Sequence, residues 1–532
     1  MSEVRRPKPG NQVFHPRRIL RHRLRRVLGI PGLFSAGYGD VGSSIYYALG
    51  VVALVALGAT PIVLAIAGII YIFNSLTYAE GSAMLPEAGG SASFARLGFN
   101  DVIGFIAGWA LMLSYIATMA ISAYTIPPYL AYFWPVLKEP AAGTILSICI
   151  IAFLMLVNVF GVRESSRLNI VFIFTDIVTQ IALVVLGIVL ILAANPASLV
   201  DHMFGSDPIS GLSNWPSTQN LIYGVAIAAL CFTGVETVSQ LAQETRQPEK
   251  RIPRTYVLMT IVVLVLFAGI SVVALSVMTP QVLGDPVNGW ARDPIAGIAT
   301  GISAALSPEM LVPRMTTDPA LSIVLTAVLN WVRQALPVLV AILAASILFT
   351  ATNAGLLGIS RLTFNLSTNR QLPAVFNRVH HRFRTPYIGI ILFCIVASVM
   401  LLPGFVSATF FSDLGALYVF GSLLCFGLAH ASIIALRVRR PEMERPFKLG
   451  LNLKIKNREL PLTAILGLIA TSVIFLVIIV VQAASRWAGI GWMVLGLVIY
   501  FLYKRSQKVP AATKNLAVVA KSEGEQDAAN RQ

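Results

Sequence analysis

The stretch GYGDVGSS, residues 37–44, carries the spacing G-x-G-x-x-G at Gly37, Gly39 and Gly42. The same spacing occurs in loops that bind a dinucleotide, which also need a strand before them and an amphipathic soluble helix after them. Here a basic segment precedes the glycines and the apolar run IYYALGVVALVALG follows them. Asp40 would also place a negative charge beside the pyrophosphate. The sequence therefore excludes a dinucleotide site, and the glycines need another explanation.

The composition is that of an integral membrane protein. Hydrophobic residues make up 56% of the 532 residues and charged residues 12%, whereas about a quarter of a soluble protein is charged. Most of the apolar segments have the ~17–25 residues that a helix needs to cross a bilayer, and the short alternating runs of a membrane barrel are absent. We therefore predict an all-α polytopic membrane protein with about twelve spans, numbered in chain order: 33–58, 62–85, 101–134, 143–160, 168–193, 219–243, 255–278, 334–366, 386–403, 409–436, 461–483 and 487–503.

The net charge of +16 reports topology rather than nucleic-acid binding. Of the 40 Lys and Arg residues, 35 fall on the cytoplasmic side if both termini are inside, as the positive-inside rule predicts. The first 32 residues carry nine Lys or Arg and no apolar segment typical of a signal peptide. We expect a multi-pass protein of the plasma (inner) membrane whose basic tail contacts anionic lipid of the inner leaflet. The five external basic residues are Lys138, Arg292, Arg314, Arg333 and Arg486.

The glycine- and serine-rich run in span 1 is a poor helix former. If the helix unwinds there, exposed backbone groups are tolerated only where they line a cavity or bind something. The second half-helix, starting near Ser43, would offer N–H groups to a carboxylate, and the carbonyls that end the first half would attract a cation. The alternative is an unbroken helix whose glycines pack closely against a neighbour.

Span 6 contains a similar run, CFTGVETVS, at residues 231–239. Interrupted helices at corresponding places in two halves indicate an inverted-repeat transporter with a site near the membrane midplane. We predict a 5+5 inverted repeat with broken helices 1 and 6. The predicted divisions are an N-terminal tail at 1–32, repeats at 33–193 and 219–436, spans 11 and 12 at 461–503, and a C-terminal tail at 504–532.

Three acidic residues stand inside apolar spans and away from the span ends: Asp40, Asp176 and Glu236. An ionised carboxylate at the bilayer centre costs ~2.5–3.5 kcal/mol on insertion scales, so such groups pair, bind a cation or take up a proton. We predict that all three couple transport to a proton or ion. The structural alternatives are that hydroxyls such as Thr175 or Thr179 satisfy Asp176, and that Glu236 holds the break in span 6.

Several motifs resemble those of the amino acid–polyamine–organocation (APC) superfamily of permeases. The resemblance covers roughly residues 35–440 and implies the fold of that superfamily and a transporter. The motifs are GSSIY (42–46), PEAGGSASFARLG (86–98), GVRESSRLN (161–169), TGVET (233–237), QETRQPEKRIPR (243–254) and SRLTFNLSTNRQLPAVFNRVHHRFRTPY (360–387).

The substrate residues follow from the same resemblance. In amino acid permeases the freed N–H groups of helix 1 hold the substrate carboxylate, but small neutral residues usually stand where this chain has Asp40. DVGSSIYY instead resembles the helix 1 run of the KUP-type potassium-uptake branch, and SYIATMAIS (114–122) has a serine where that group has an acid. The predicted substrate-binding residues are Asp40, Gly42, Ser43, Ser44, Tyr47, Ser114, Tyr115, Thr118, Thr233, Gly234 and Tyr418.

We therefore expect a secondary active transporter for an amino acid or related amine. Its transport is expected to be coupled to protons, and sodium is the alternative coupling ion. The alternative is proton-coupled potassium uptake. No cofactor, metal site or enzymatic activity is expected, because the four cysteines lie singly and no Ser/His/Asp or ATP-binding motif occurs. The sequence does not specify the oligomeric state.

Overall fold

The structure is a computed structural model that describes residues 26–161, 166–193, 197–206, 211, 213–315, 317–383, 385–407, 409–448, 450–455 and 458–508. Most of the basic N-terminal tail and of the C-terminal tail lies outside these residues, as does part of the GVRESSRLN motif. The described chain is almost entirely helical, so the predicted all-α class is confirmed. One antiparallel hairpin, Asn452–Ile455 with Arg458–Pro461, joins span 10 to span 11.

All twelve predicted spans form helices within the described residues. Most begin and end within a few residues of the predicted bounds, and several start with a proline at the first or second position, where its missing N–H costs nothing. The bounds are Ile30–Val41 and Ile45–Ala56 (span 1), Thr60–Met84 (2), Asp101–Leu130 (3), Pro140–Val159 (4), Ser166–Ala193 (5), Thr218–Ala228 and Thr237–Gln240 (6), Pro248–Val277 (7), Pro319–Thr368 (8), Tyr387–Met400 (9), Phe410–Arg439 (10), Leu462–Val481 (11) and Ala483–Lys508 (12).

Eleven of the described helical segments are long and apolar enough to cross a membrane. The first of them, Ile30–Met84, is 55 residues long and is interrupted at Leu57, whose φ is 46°. A residue other than glycine with a positive φ interrupts a regular helix. The parts before and after Leu57 are each long enough for one crossing. Counting this segment as spans 1 and 2 gives twelve.

Contacts at one face of the bundle place the start of span 1 and the end of span 12 on the same side of the described structure. The N–H of Leu28, before span 1, donates to the carbonyl of Glu244 after span 6 (2.9 Å), and Glu244 pairs with Arg361 near the end of span 8 (2.8 Å). Beyond that end, Gln371 donates to the carbonyl of the first residue of span 3 (2.8 Å). The carboxylate of the same residue lies 3.7 Å from Lys504 at the end of span 12. The chain therefore enters and leaves the bundle on the same face.

Span 3 lies at the centre of the bundle and spans 4, 11 and 12 at its edge. In the most apolar stretch of span 3, 83% of the residues are buried, against 28%, 28% and 17% in those three spans. Spans 8 and 10 pack most extensively against span 3, span 1 also contacts it, and span 6 reaches it through the hydrogen bond from Ser114 to Glu236. This inner group contains the predicted site.

The connection between spans 7 and 8 differs from the prediction. Span 8 is a 50-residue helix that begins at Pro319, well before the predicted residue 334. Before it lie three short helices, Pro280–Gly284, Pro294–Ala305 and Pro308–Met315. Most of the apolar patch GIATGISAAL lies in the helix Pro294–Ala305, which buries one face against spans 5, 7 and 8.

Candidate functional site

Span 6 is broken near its middle, as predicted. Its first helix ends in a 3-10 turn, Ala229–Phe232, after which Thr233 is extended (φ −76°, ψ 160°). Gly234 has a φ of +95°, a region that residues with a side chain rarely adopt. The chain resumes helical geometry at Glu236, and the hydroxyl of Thr233 donates to the carbonyl of Leu230 (2.8 Å). The break therefore places extended backbone within the membrane, beside buried side chains of spans 1 and 10.

Span 1 is interrupted more mildly than predicted. Residues Gly42–Ser44 form one turn of 3-10 helix, and Gly42 itself keeps right-handed helical angles (φ −65°, ψ −29°). The N–H of Gly42 donates to the carbonyl of Tyr38, so it is not free to bind a ligand in this conformation. The predicted unwinding is thus a tightening of the helix, because no residue in the run takes an extended or left-handed conformation.

The glycines of span 1 allow close packing, which was the structural alternative. A Cβ at Gly37 would lie 2.5 Å from Val238 of span 6 and 2.9 Å from the sulfur of Met259 of span 7. A Cβ at Gly39 would lie 3.1 Å from Ile173 of span 5. These glycines let the backbone of span 1 approach three neighbouring spans.

Asp40 lies directly against the break in span 6. It is 1% exposed, and a Cβ at Gly234 would lie 2.7 Å from its carboxyl carbon. Thr237, in the first turn after the break, donates a short hydrogen bond to Oδ2. Oδ1 has no hydrogen-bond partner among the described residues. One oxygen of a buried carboxylate is therefore left to receive a cation, an ammonium group or a proton.

Hydroxyl groups from three spans lie near Asp40, and those of Tyr47, Tyr115 and Tyr418 interact with it electrostatically. Ser43 donates to the carbonyl of Asp40 (2.7 Å), and the hydroxyls of Ser44 and Tyr47 are 3.1 Å apart. The hydroxyls of Tyr115 in span 3 and Tyr418 in span 10 are buried without a partner among the described residues. The structure thus brings together the predicted residues of spans 1, 3, 6 and 10.

Two predicted hydroxyls make other contacts. Thr118 donates to the backbone carbonyl of Ser114 within span 3 (2.9 Å), and the side chain of Ser114 donates to Oε1 of Glu236 (3.1 Å). The hydroxyl of Ser422, in span 10, lies 2.9 Å from that of Ser114. Sequence reasoning missed Ser422, because a single serine in an apolar span gives no signal of its own.

Glu236 and Asp176 occupy different environments. Glu236 is fully buried next to the break, and its Oε2 has no partner among the described residues. Asp176 is 1% exposed and is bonded at both oxygens, by a short hydrogen bond from Tyr46 to Oδ1 and by Gln180 to Oδ2 (2.7 Å).

The partners of Asp176 differ from those proposed from the sequence. The hydroxyls of Thr175 and Thr179 donate to carbonyls of their own helix, at Val171 and at residue 175. Gln180 stands four residues after Asp176, a helical spacing that the sequence could have revealed. Tyr46 comes from span 1, and that contact had no sequence signal.

Besides Asp101, the acidic residues Glu80, Glu87 and Glu244 form ion pairs at the face that carries Arg361. Glu80 in span 2 pairs with Arg437 in span 10 through two hydrogen bonds (2.9 and 2.5 Å), both side chains being almost fully buried. Glu87 pairs with Arg96 (3.2 Å) and Glu244 with Arg361 (2.8 Å), and these pairs are partly exposed. These acids tie helix ends and loops together at one face, apart from the break in span 6.

Comparisons with known proteins identify the family of this chain. Residues 28–503 match a family model described as "Amino acid permease". An uncharacterized transporter of Mycobacterium tuberculosis (strain ATCC 25618 / H37Rv) is 27% identical over 78% of this chain and 81% of its own length. Two proteins of Bacillus subtilis (strain 168), a methylthioribose transporter and a branched-chain amino acid permease, are each 24% identical over 91% of this chain and 95% and 94% of their own lengths. The chain therefore belongs to the amino acid permease family of the APC superfamily and is a multi-pass membrane transporter.

Proposed function

We propose that this permease carries an amino acid or a related amine across the plasma membrane, driven by protons, and that it is not an enzyme. The observation that carries the proposal is the carboxylate of Asp40, buried against Gly234 with Oδ1 unpartnered among the described residues. The 3-10 turn Ala229–Phe232 ends at the same place, and carbonyls at the end of a helix attract positive charge. Together these groups suit a substrate ammonium.

The substrate carboxylate is assigned to the turn Gly42–Ser44 of span 1. The N–H of Gly42 is bonded to Tyr38 in the present conformation, so this turn has to open before its N–H groups can bind. Serine hydroxyls at positions 43 and 44 supply further donors. Since both the ammonium and the carboxylate sites are closed to solvent here, we expect binding to be accompanied by movement of span 1.

We assign proton or ion coupling to the three buried acids, with the proton on Asp40 and Glu236. Asp40 and Glu236 each have one buried oxygen without a partner among the described residues. Protonating either group removes a charge from an apolar region without breaking a hydrogen bond, so both suit reversible protonation. Asp176 accepts hydrogen bonds at both oxygens and suits an ion-binding or stabilising role. Sodium is the alternative coupling ion.

Proton-coupled potassium uptake is the alternative function. Asp40 Oδ1 and the hydroxyl of Tyr418 are both unpartnered in the described structure, and Tyr47 and Thr233 lie in the adjoining turns. An all-oxygen group of this kind also suits a monovalent cation. Against it, Ser114 replaces the acid of the potassium group and donates to Glu236.

The test is transport by purified protein in liposomes. With an imposed proton gradient, we expect uptake of at least one radiolabelled compound from a panel of amino acids and amines, in sodium-free buffer, and loss of uptake when a protonophore collapses the gradient. Rubidium flux without any organic flux would support potassium uptake and reject the amino acid proposal. Uptake that requires sodium would show that sodium, and not the proton, is the coupling ion.

We further propose that the face carrying Arg361, Gln371 and Lys504 is cytoplasmic, because 35 of the 40 basic residues are predicted on that side. Both termini are then inside. Cysteine labelling from outside intact cells should reach Glu309→Cys in the connection before span 8 but not Lys504→Cys. The opposite labelling pattern would invert the topology.

A further inference from the structure

A small cavity adjoins the break in span 6, on the side facing spans 2, 10 and 11. Its volume is about 10 Å³, and most of its wall is apolar. Four polar residues also line it: Tyr71, Asn74, Thr233 and Ser422. A buried water needs about 10–15 Å³ and two to four polar partners. The cavity therefore meets the requirements for one water molecule.

On one side, the cavity wall is connected to Glu236. The hydroxyl of Ser114 donates to Oε1 of Glu236 (3.1 Å) and lies 2.9 Å from the hydroxyl of Ser422. A serine hydroxyl has one hydrogen, so when Ser114 donates to the carboxylate, Ser422 is the donor to Ser114. The lone pairs of Ser422 are then available to accept a hydrogen bond from the cavity.

On the opposite side, the wall is connected to His430. This histidine is fully buried in span 10, with Nε2 2.8 Å from Oδ1 of Asn74 and Nδ1 2.8 Å from the hydroxyl of Thr77. An amide oxygen only accepts, so Nε2 carries the hydrogen and Thr77 donates to Nδ1. With its oxygen used in this way, Asn74 has its amide hydrogens left to donate.

We propose that one water molecule occupies this cavity, accepts a hydrogen bond from Asn74 and donates one to Ser422. It completes a chain that runs from His430 through Asn74, the water, Ser422 and Ser114 to Glu236. Every hydrogen bond from the imidazole to the carboxylate then points toward Glu236, which favours its ionised form. His430 acts as a positioning residue that fixes the orientation of Asn74.

The inference rests on the proposed coupling role of Glu236, and it adds spans 2 and 10 to the parts that set the protonation of that residue. Asp40 is the other carboxyl group that interacts with Glu236. The groups that face His430 are Asn74 and Thr77 of span 2 and Gly467 of span 11, all uncharged. The titratable groups that face Glu236 are Asp40 (span 1), Tyr71 and Tyr78 (span 2), Tyr115 (span 3), Tyr256 (span 7), and Tyr418 and Cys425 (span 10).

The experiment compares two variants that disturb the chain differently. Ser422→Ala removes a hydroxyl, whereas Ala67→Val keeps every polar group but fills the cavity that Ala67 lines. Ser432→Ala is the matched control, because Ser432 is a buried serine of the same helix that donates to its own backbone at Leu428. For each reconstituted protein, the pH dependence of uptake and the infrared band of protonated carboxyl groups are measured, and Glu236→Gln identifies the band of Glu236.

We expect Ser422→Ala and Ala67→Val each to move the pH midpoint of the Glu236 band, and of the uptake profile, upward by about half to one pH unit, as loss of one hydrogen bond implies. Ser432→Ala should leave both midpoints unchanged. An unchanged midpoint in Ala67→Val would overturn the proposed water site. An unchanged midpoint in Ser422→Ala would overturn the proposed chain of hydrogen bonds to Glu236. If Glu236→Gln instead retains normal proton-driven uptake, the coupling role fails while the band of Glu236 in the other variants still tests the chain.

Discussion

Spans 1 and 6 have similar glycine-containing runs but different backbones. GYGDVGSS remains helical throughout, with a single 3-10 turn at Gly42–Ser44. TGVET instead opens into extended backbone at Thr233 and a positive φ at Gly234. The number of glycines does not decide which helix breaks, because span 1 has more of them. What differs is that Gly234 takes a conformation that only glycine adopts readily, whereas the glycines of span 1 provide space for neighbouring spans.

The two runs also depend on each other. Asp40 of span 1 occupies the place where a side chain at position 234 would be, and Thr237 donates to that carboxylate. Gly37 of span 1 in turn receives Val238 of span 6. The close approach of span 1 and the break in span 6 therefore form one unit, in which the acid is supplied by the continuous helix and the open backbone by the broken one.

Removing the acid should have the largest effect. Asp40→Asn keeps the shape of the side chain and can still accept from Thr237, but it removes the charge that we assign to substrate binding and coupling. We expect uptake to fall to the level of empty liposomes while membrane expression stays normal. Asp413→Asn, a change at a partly exposed position of span 10, is the control and should transport normally. Unchanged uptake by Asp40→Asn would make the aspartate purely structural.

The second prediction concerns the backbone of span 6. Gly234→Ala requires a strained positive φ and places a methyl group 2.7 Å from the carboxyl carbon of Asp40. Strain and overpacking cost ~1–3 kcal/mol each, so we expect transport to fall on the order of a hundredfold. Gly427→Ala serves as the control, because the nearest atom to its added Cβ is 3.8 Å away. Near-normal uptake by Gly234→Ala would mean that the backbone of the break can change conformation without loss of transport.

The third prediction tests the packing function of the span 1 glycines. Gly37→Ala brings a methyl group to 2.5 Å from Val238 and 2.9 Å from Met259. We expect it to destabilise the protein by ~1–3 kcal/mol through overpacking, measured as a lower midpoint of thermal unfolding in detergent. Gly389→Ala is the control and should leave the midpoint unchanged, because the nearest atom to its added Cβ is 3.7 Å away. A normal midpoint for Gly37→Ala would show that Val238 and Met259 move aside easily.

The sequence predicted the parts of this molecule that follow from local pattern. Apolar length identified the twelve spans, and the order of short motifs identified the superfamily. The break in span 6 was predicted as well, because Gly234 stands in a run that also contains an acid and hydroxyls. Local pattern did not distinguish it from span 1, since whether a glycine serves conformation or packing depends on what lies across the interface.

The contacts of the buried acids required the structure for the same reason. Glu236 is reached by Ser114 and, through it, by Ser422, which stands 186 residues further along the chain than Glu236. Asp176 is reached by Tyr46 of span 1. Neither partner is placed near its acid by helical spacing or by composition. Pairings between spans 1 and 5, or between spans 3 and 10, are set by tertiary packing alone.

The smallest predicted effect lies outside the spanning helices, in the connection before span 8, where it meets the second half of span 1. A Cβ at Gly50 would lie 2.2 Å from the carbonyl oxygen of Ala291, and Asp293 follows in the same segment. Burial raises the pKa of Asp293 to about 7, although Lys138 and Arg292 act in the opposite direction. The folded protein then holds a proton that the unfolded chain loses at lower pH, so stability falls as pH rises from about 4 to 7.

Asp293→Asn should remove this dependence while leaving the two interrupted runs untouched. Relative to the unmodified protein, we expect its unfolding midpoint to be higher by roughly 2 °C at pH 8, with the difference shrinking toward pH 4.5. Glu309→Gln, at an exposed position of the same connection, should show no such trend. A difference that does not change with pH would mean that Asp293 keeps one protonation state in the folded protein. The pH dependence of stability would then arise at the buried acids of spans 1, 5 and 6, and the contact between span 1 and the connection before span 8 would be independent of pH.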